Sequence, residues 1–504
     1  MTDASTGARD AAKTERDASR VGGVWAPAGF SWALFEFARN PYYMLIVTYV
    51  FPPYFSAFIV GNPVEGQAAI AEATKWAGVI GALTAPLLGA MMDRGGARKP
   101  LMGVFLAMIA ISGLSLWWSI SAVEPNPADP SNPVFHPPVV GLGMAGTMMF
   151  LVLGFVGYTY SELTHNAMLR SSGRPDALSK ISGAGIGLGQ LSSALCLAGL
   201  VVIAGVAPTL GGPEGEFALQ RGTGPFVALW LVVFVAPFFI YMPDGSPPGG
   251  TWVGAARELM SDQTGKLNPI GELSKFGSYI GGLVRAYPEL MKYLGARLIY
   301  ADGMVALLAL AGVFAAGMFS WGVAESALFG IYASIFGAMG AFLIGPPLDR
   351  KLGARKAIMV ELSIMCVGVV LALSATPDAI LYGLIPAGHV VHGLPVFNTL
   401  AEVFYLVLAA VIAANAAACI TSSRYFLVTL APKERTSEFF GLYAISSTAT
   451  VWMGPMLVEF ATRASGDQRI GFSPVLLLLA VGLALMFTLK RDAGDPHAPR
   501  TAAH

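Results

Sequence analysis

The residues of this chain that are equipped for chemistry are few, and they stand out because they interrupt apolar runs. Glu36 and Arg39 sit three residues apart inside the run from 30 to 58, a spacing that makes their side chains neighbours on a helix. Asp302 interrupts 296 to 319, Glu325 interrupts 321 to 346, and Glu402 and Asn415 fall in 400 to 423. Glu162, His165 and Asn166 cluster at the end of 138 to 161, and Gln190 falls within 181 to 206. In hydrocarbon a charge costs about 2.5 to 3.5 kcal/mol, so each needs a water-filled cavity or a partner. A carboxyl in such a place can bind a cation, hold a ligand amine, or take up and give back a proton; the amides can hydrogen-bond a polar ligand. The plainer alternative is that Glu36 and Arg39 only neutralise one another, that Asp302 pairs with Arg297 or Arg39, and that the amides join helices.

The elements that must position these groups follow from composition. The chain has 504 residues, 55% hydrophobic and 12% charged, about half the usual charged fraction of a soluble protein. The hydrophobicity is too high for a disordered polymer. With 31 basic and 31 acidic residues there is no net field to draw nucleic acid. Cys196, Cys366 and Cys419 lie singly in apolar runs, without disulfide or zinc spacing. What remains is an all-α polytopic membrane protein. Runs long enough to cross hydrocarbon as helices cover 30 to 58, 70 to 91, 101 to 123, 138 to 161, 181 to 206, 224 to 242, 296 to 319, 321 to 346, 357 to 376, 400 to 423, 439 to 462 and 471 to 489. That predicts twelve spans in two bundles of six.

Lys and Arg accumulate on the cytoplasmic side of membrane proteins. With the N-terminus inside, Arg9, Lys13, Arg16 and Arg20, the loops holding Arg94, Arg98 and Lys99, Arg170, Arg174 and Lys180, Arg350 to Lys356, and Arg424, Lys433 and Arg435 all fall inside. The stretch near Ile380 to Ala387 is then an outer loop. The expected organisation is a cytoplasmic tail (1–29), a six-helix bundle (30–242), a cytoplasmic linker (243–295), a second bundle (296–489) and a short cytoplasmic tail (490–504). Leu273, Phe276, Ile280, Leu283, Tyr287, Leu290 and Leu294 recur at helical spacing in the linker, which predicts an amphipathic helix on the inner membrane surface. The first apolar run is too long for a signal-peptide core, so no cleaved leader is expected, and a bacterial plasma membrane fits.

Two loops repeat one device: Gly89-Ala-Met-Met-Asp93-Arg94-Gly-Gly-Ala-Arg98-Lys99, and six spans later Gly345-Pro-Pro-Leu-Asp349-Arg350-Lys-Leu-Gly353-Ala-Arg355-Lys356. The aspartates and arginines are expected to clasp neighbouring helix ends through charge-assisted bonds. This pattern over nearly the whole chain resembles the major facilitator superfamily. Trp32-Ala-Leu-Phe-Glu36-Phe-Ala-Arg39-Asn-Pro-Tyr, Phe51-Pro-Pro-Tyr-Phe55, Ile181-Ser-Gly-Ala-Gly-Ile-Gly-Leu-Gly189, Tyr300-Ala-Asp302-Gly303 and Glu438-Phe-Phe-Gly-Leu-Tyr443 resemble the autophagy-linked vacuole effluxer family within it. This chain has Glu36 and Arg39 where that family usually has Asp and Asn, and its second loop has one extra residue before Gly353.

The resemblance implies a secondary transporter with two pseudo-symmetric bundles and a central cavity lined by the first, fourth, seventh and tenth helices, into which Glu36 and Asp302 would both face. It also implies contact between the fifth and eighth helices. There Gly185 and Gly189, and Gly337 and Gly340, are expected to give a sliding surface or a static close packing. The expected activity is movement of a small polar organic solute, such as an amino acid or peptide, by alternating access with a proton as candidate coupling ion. The rival from another class is a receptor or assembly factor that kept the fold and filled its cavity with apolar side chains. The lipid bilayer and a small-molecule substrate are the expected partners, without nucleic acid, cofactor, metal or obligate protein partner. Gly141-Leu-Gly143-Met-Ala-Gly146 has dinucleotide-binding spacing but no strand before it, and His389 and His392 have no further ligand nearby. Nothing in the sequence points to an enzyme.

Overall fold

The computed structural model describes residues 22–94, 98–120, 123–124, 134–135, 141–174, 177–212, 215–244, 269–432, 439, 442–443 and 450–490. The first half contains α1 (Pro27–Val60), α2 (Pro63–Arg94), α3 (Arg98–Trp118), α4 (Gly143–Met168), α5 (Leu178–Val206) and α6 (Ala218–Tyr241). A linker helix (Pro269–Ala286) leads to α7 (Pro288–Phe319), α8 (Val323–Leu352), α9 (Ala354–Leu373), α10 (Leu400–Leu430), α11 (Met453–Ser465) and α12 (Gln468–Phe487). Ten of these are long and apolar enough to cross a membrane. Of the other two, α2 carries Glu65, Glu72 and Lys75 in its first half, and most of 439 to 452 lies outside the described residues. The stretch near Ile380 forms a two-stranded hairpin, Ala379–Ile380 with Ile385–Pro386.

Proline explains why α1 is not a plain α-helix. Pro41, Pro52 and Pro53 cannot donate to the carbonyls one turn back, and the helix widens to π-type turns over Tyr42–Tyr49 and Phe55–Val60. Carbonyls freed in this way must find other partners inside a membrane. The Phe37 carbonyl, one turn before Pro41, accepts from the Trp230 indole of α6 at 2.9 Å. The Thr48 carbonyl, one turn before Pro52, lies against Gly312 of α7, where any side chain would overlap it. This backbone contact joins the halves. Gly345-Pro346-Pro347 similarly follows a π-turn, Gly340–Ile344, in α8.

Elsewhere the halves meet where α2 packs on α11 and α5 on α8. At the end that the charge bias assigns to the outside, Arg463 of α11 pairs with Glu65 at 2.8 Å and Glu72 at 2.9 Å on α2, and Lys75 pairs with Glu459 at 2.5 Å. Gln67 donates to Thr462 Oγ1 and to the Gln468 carbonyl, while Gln468 donates to the Pro63 carbonyl. Below this latch Tyr49 of α1 meets Phe329 of α8 edge-on, with ring centroids 5.7 Å apart.

In the repeated loops the arginines reach carbonyls at helix ends. Arg98 Nη1 donates to the Ala167 carbonyl at the end of α4 and Nη2 to Met92, while Asp244 accepts from the Arg98 and Lys99 backbone amides at the start of α3. The side chains of Asp93 and Arg94, and the surroundings of Gly89, lie outside what the structure describes. In the second copy Arg355 Nη2 donates to the Phe487 carbonyl near the end of α12, and Arg350 Nε to Pro346 one turn back. Asp349 is buried with Oδ1 unbonded among the described residues. Near it, Ser422 donates to Glu361, a wholly buried acid of α9.

Candidate functional site

Glycine sets the position of the site. Gly185 and Gly189 of α5 lie against Trp32, Glu36 and Asn40 of α1, and added methyls there would touch these side chains. The two helices approach closely enough to bring Glu36 beside Gln190 in one cavity. These glycines therefore pack helices within the first half. Gly340 of α8 lies against the Ala414 backbone of α10, within the second half, and Gly337 faces the same helix more loosely. In α8 it is Gly330, against Tyr49 and Leu197, that allows close approach across the halves.

The cavity is about 250 Å³ and is lined by Trp32, Glu36, Arg39, Asn40, Tyr158, Glu162, Asn166, Ile186, Gly189, Gln190 and Arg424. At its wall, Arg39 Nη2 donates to both Glu36 oxygens, at 3.0 and 2.9 Å, and Nη1 donates to the Tyr158 carbonyl at 3.2 Å. The guanidinium stacks over the Tyr158 ring 4.2 Å away and is only 3% exposed. Glu162 Oε2 stands 3.5 Å from Arg39 Nη1 and is 51% exposed, so its hold on Arg39 is looser than that of Glu36, which is 17% exposed. His165 lies behind Glu36, with Nδ1 at 3.2 Å from Oε1. Its ring is clamped between Trp32 and Phe35, with centroids 4.0 and 4.2 Å away. Gln190 Oε1 is buried without a hydrogen bond among the described residues, an acceptor unused by the protein.

Arg424 comes from the second half. Sequence reading ended the tenth span at 423 and placed Arg424 in the inner loop, but α10 continues to Leu430 and sets Arg424 on the cavity wall. The run Thr421-Ser-Ser-Arg-Tyr425 is too polar to score as a span, yet it holds no helix breaker, and that was the available signal. Arg424 makes no ion pair among the described residues and is exposed.

Glu36, Arg39, Glu162, Asn166 and Gln190 thus share one cavity, with His165 behind Glu36, whereas Asp302, Glu325, Glu402 and Asn415 do not join them. Asp302 does not face the cavity as the matching positions suggested. It is fully buried near α11, where its backbone carbonyl meets Gly454, and neither carboxyl oxygen has a hydrogen bond among the described residues. Arg297 donates to the Tyr443 carbonyl and lies over that ring. Asn415 donates to the Val411 carbonyl within α10. Glu325 sits in the first turn of α8, and Glu402 completes the N-terminal cap of α10 while accepting from Trp321. A second, apolar cavity of about 50 Å³, lined by Tyr49, Phe314, Phe329, Tyr405, Phe472 and aliphatic neighbours, lies beneath the outer latch.

An apolar helical bundle in two halves, with a charged cavity that both halves line, has the architecture of a major facilitator transporter. Solved structures of that type superpose on it: a nucleoside transporter, NupG (TM-score 0.58, 11% identity, 92% of this chain and 98% of that one), and a peptide transporter, POT, in complex with alafosfalin (0.57, 13%, 95% and 99%). The chain belongs to the family described as vacuole effluxer Atg22 like, whose match covers residues 159–498. It is 20% identical to the MFS-type transporter YxiO of Bacillus subtilis strain 168, over 90% of this chain and 93% of that one. It is 23% identical to autophagy-related protein 22 of Cryptococcus neoformans strain JEC21, over 64% of this chain, and spans about half the length of that fungal relative. The protein is therefore an integral membrane transporter of the major facilitator type.

Proposed function

We propose that this protein is a secondary transporter that moves a small polar organic solute, a zwitterion such as an amino acid or short peptide, by alternating access. The observation that carries this reading is the cavity with exposed groups of opposite charge on its two sides, Glu162 from the first half and Arg424 from the second. Glu36 is engaged by Arg39, which leaves Glu162 to meet a ligand ammonium and Arg424 to meet a carboxylate. Gln190 Oε1 and Asn166 offer further hydrogen bonds. A solute held between Glu162 and Arg424 bridges two bodies, so its binding favours their closing together.

The exposed cavity residues Glu162, Asn166 and Arg424 lie at the end opposite the outer ion pairs, an arrangement that fits a state open to the inside. The match with the Bacillus protein along nearly its whole length fits a bacterial plasma membrane with both termini inside. The wet, charged cavity also favours transport over a receptor that merely kept the fold, for which an apolar filling would suffice. The test is uptake and efflux by the purified protein in liposomes, against a panel of labelled amino acids, peptides, nucleosides and sugars, with and without a pH gradient. Saturable flux of a zwitterion, lost in Arg424→Ala, is the expected result. Flux confined to uncharged solutes overturns the assignment of substrate class.

A further inference from the structure

The loop between α9 and α10, which the charge bias assigns to the outside, displays large apolar side chains. It opens with the hairpin of Ala379–Ile380 and Ile385–Pro386, and from Ala379 to Thr399 it holds no Asp, Glu, Lys or Arg. Tyr382 is 67% exposed and Leu384 81%, and Ile385, Val390 and Leu394 are exposed as well. Apolar groups gathered in this way mark a surface that something covers.

The loop is built rather than loose. The Leu400 and Ala401 amides at the start of α10 donate to the His389 and Ala387 carbonyls, Val391 donates to Asn398, and Ala387 to Asp378. Ile380 and Ala387 are buried with Ala375 and Ala401 beneath the hairpin. The turn itself runs against backbone preference: Leu381 and Tyr382 take φ of 54° and 58°, the left-handed region that Gly or Asn fills at less cost. Side chains hold it there, Leu381 by packing on the buried cluster and Tyr382 by a hydrogen bond.

That bond sets the depth of the hairpin. In a continued helix the Ser374 amide would serve the Val370 carbonyl, but α9 tightens at its end and Ser374 donates to Leu371. The Tyr382 hydroxyl donates to the Val370 carbonyl instead, at 3.2 Å. To reach it, the turn folds back along α9 past Leu373, to within about one turn of Val367. Val360, Ile364 and Val367 are exposed at helical spacing and form the outward stripe of this apolar span. The tip of the hairpin therefore stands at the end of a stripe that faces lipid.

We propose that this hairpin is seated in the outer leaflet of the bilayer, with Tyr382 at headgroup level and Leu384 and Ile385 reaching the acyl chains. Tyrosine suits that level, since its ring is apolar and its hydroxyl polar. The strands are only two residues long and leave backbone groups that hydrocarbon cannot satisfy, so the seat is the boundary of the leaflet and not its centre. Continuity with the outward stripe of α9 favours lipid over a second copy of the chain. The hairpin is bonded to both helices, so the leaflet holds the outer ends of α9 and α10 together, on the half that carries Arg424.

The test is electron spin resonance of the full chain in phosphatidylcholine nanodiscs, with a nitroxide on Leu384→Cys or Ile385→Cys and the labelled parent as background for Cys196, Cys366 and Cys419. Val367→Cys gives the lipid reference and Asp378→Cys the water reference. Labels at 384 and 385 are expected to respond to oxygen, which concentrates in lipid, and to lose the response to a water-soluble nickel chelate, as at 367. A nickel response equal to that at 378 overturns the proposal. Labels shielded from both reagents and broadened by a second spin also overturn it, because another copy then covers the hairpin. Adding phosphatidylglycerol is expected to change nothing, since the segment has no basic side chain; burial that appears only with that anionic lipid overturns the apolar seat. None of these outcomes depends on which solute is carried.

Discussion

Glu36 and Asp302 each interrupt the first helix of their own half, and their surroundings are opposite. Glu36 accepts from one guanidinium nitrogen at both of its oxygens, touches an imidazole and lines a polar cavity. Asp302 has no exposure, and no hydrogen bond reaches its carboxyl oxygens among the described residues. Asp349 and Glu361 extend the contrast: the second half buries three acids, with a serine as the bonded neighbour of one of them, while the first half concentrates its ionisable groups around the cavity. A repeated fold therefore does not carry repeated chemistry. The first half presents the charged pocket, and the second supplies one exposed charge, Arg424, and a largely apolar body.

The largest effect that tests this contrast is expected from Arg39→Ala. Removing one partner of a buried ion pair leaves the other charge uncompensated, at a cost of about 3 to 5 kcal/mol. Thermal unfolding of the purified protein should show a large drop in midpoint together with loss of transport. The double variant Glu36→Gln, Arg39→Gln should be more stable than Arg39→Ala, because no lone charge remains. A double variant as unstable as the single would mean that packing of the guanidinium on Tyr158, rather than charge, holds this wall.

Next in size is Gly312→Ala. The added methyl overlaps the Thr48 carbonyl, and overpacking a close contact costs about 1 to 3 kcal/mol. The strain falls on the crossing of α1 and α7, between the halves, so transport rate should fall more than unfolding temperature. Gly340→Ala meets the Ala414 backbone inside the second half and should lower stability first. Equal loss of rate and stability in both variants would remove the distinction between contacts within and across the halves.

A smaller effect is expected from Arg463→Ala. The outer pairs are partly exposed, and such pairs are worth about 0 to 1 kcal/mol each. Together the two bias the outer end toward closure by no more than about thirtyfold. A single cysteine placed at Ala311, which lines the apolar cavity beneath the latch, should be labelled faster from outside when Arg463 is replaced. Unchanged labelling would show that the Tyr49–Phe329 contact, not the ion pairs, keeps that end shut.

How much of this was legible in the sequence depends on the kind of signal. Glu36 and Arg39 are legible as a pair because three residues of helix bring them together, whatever surrounds them. Asn166 and Gln190 stand out for the same reason that any amide does in an apolar run. Rotation about the helix axis is not legible. One residue turns a side chain by about 100°, so matching depth for Glu36 and Asp302 says nothing about which way either faces, and Asp302 does not line the cavity. Arg424 was concealed by a boundary, since its polar neighbours made a helix read as a loop. Glu361 stood in plain view as the one acidic residue of the run from 357 to 376, and only the structure shows it beside Ser422. The prolines of α1 stand in the sequence, but that Trp230 and Gly312 meet the freed carbonyls depends on contacts far apart along the chain.

The smallest effect, and the sharpest for the comparison, is expected from Asp302→Asn. The substitution keeps the shape of the side chain and removes its capacity for charge. No hydrogen bond reaches its carboxyl oxygens among the described residues, so an ionised carboxylate there would be costly, and losing that capacity should leave stability unchanged or slightly raised. The residue does not line the cavity, so solute flux and its response to a pH gradient should be nearly those of the parent. Glu36→Gln, an equally conservative change, should impair both, because it removes the acceptor of Arg39 and the neighbour of His165. Measured side by side in the same liposomes, the two substitutions give the asymmetry a direct reading. Equal impairment would show that Asp302 takes part in the cycle by entering the cavity in another conformation, and the functional division between the halves would then have to be redrawn.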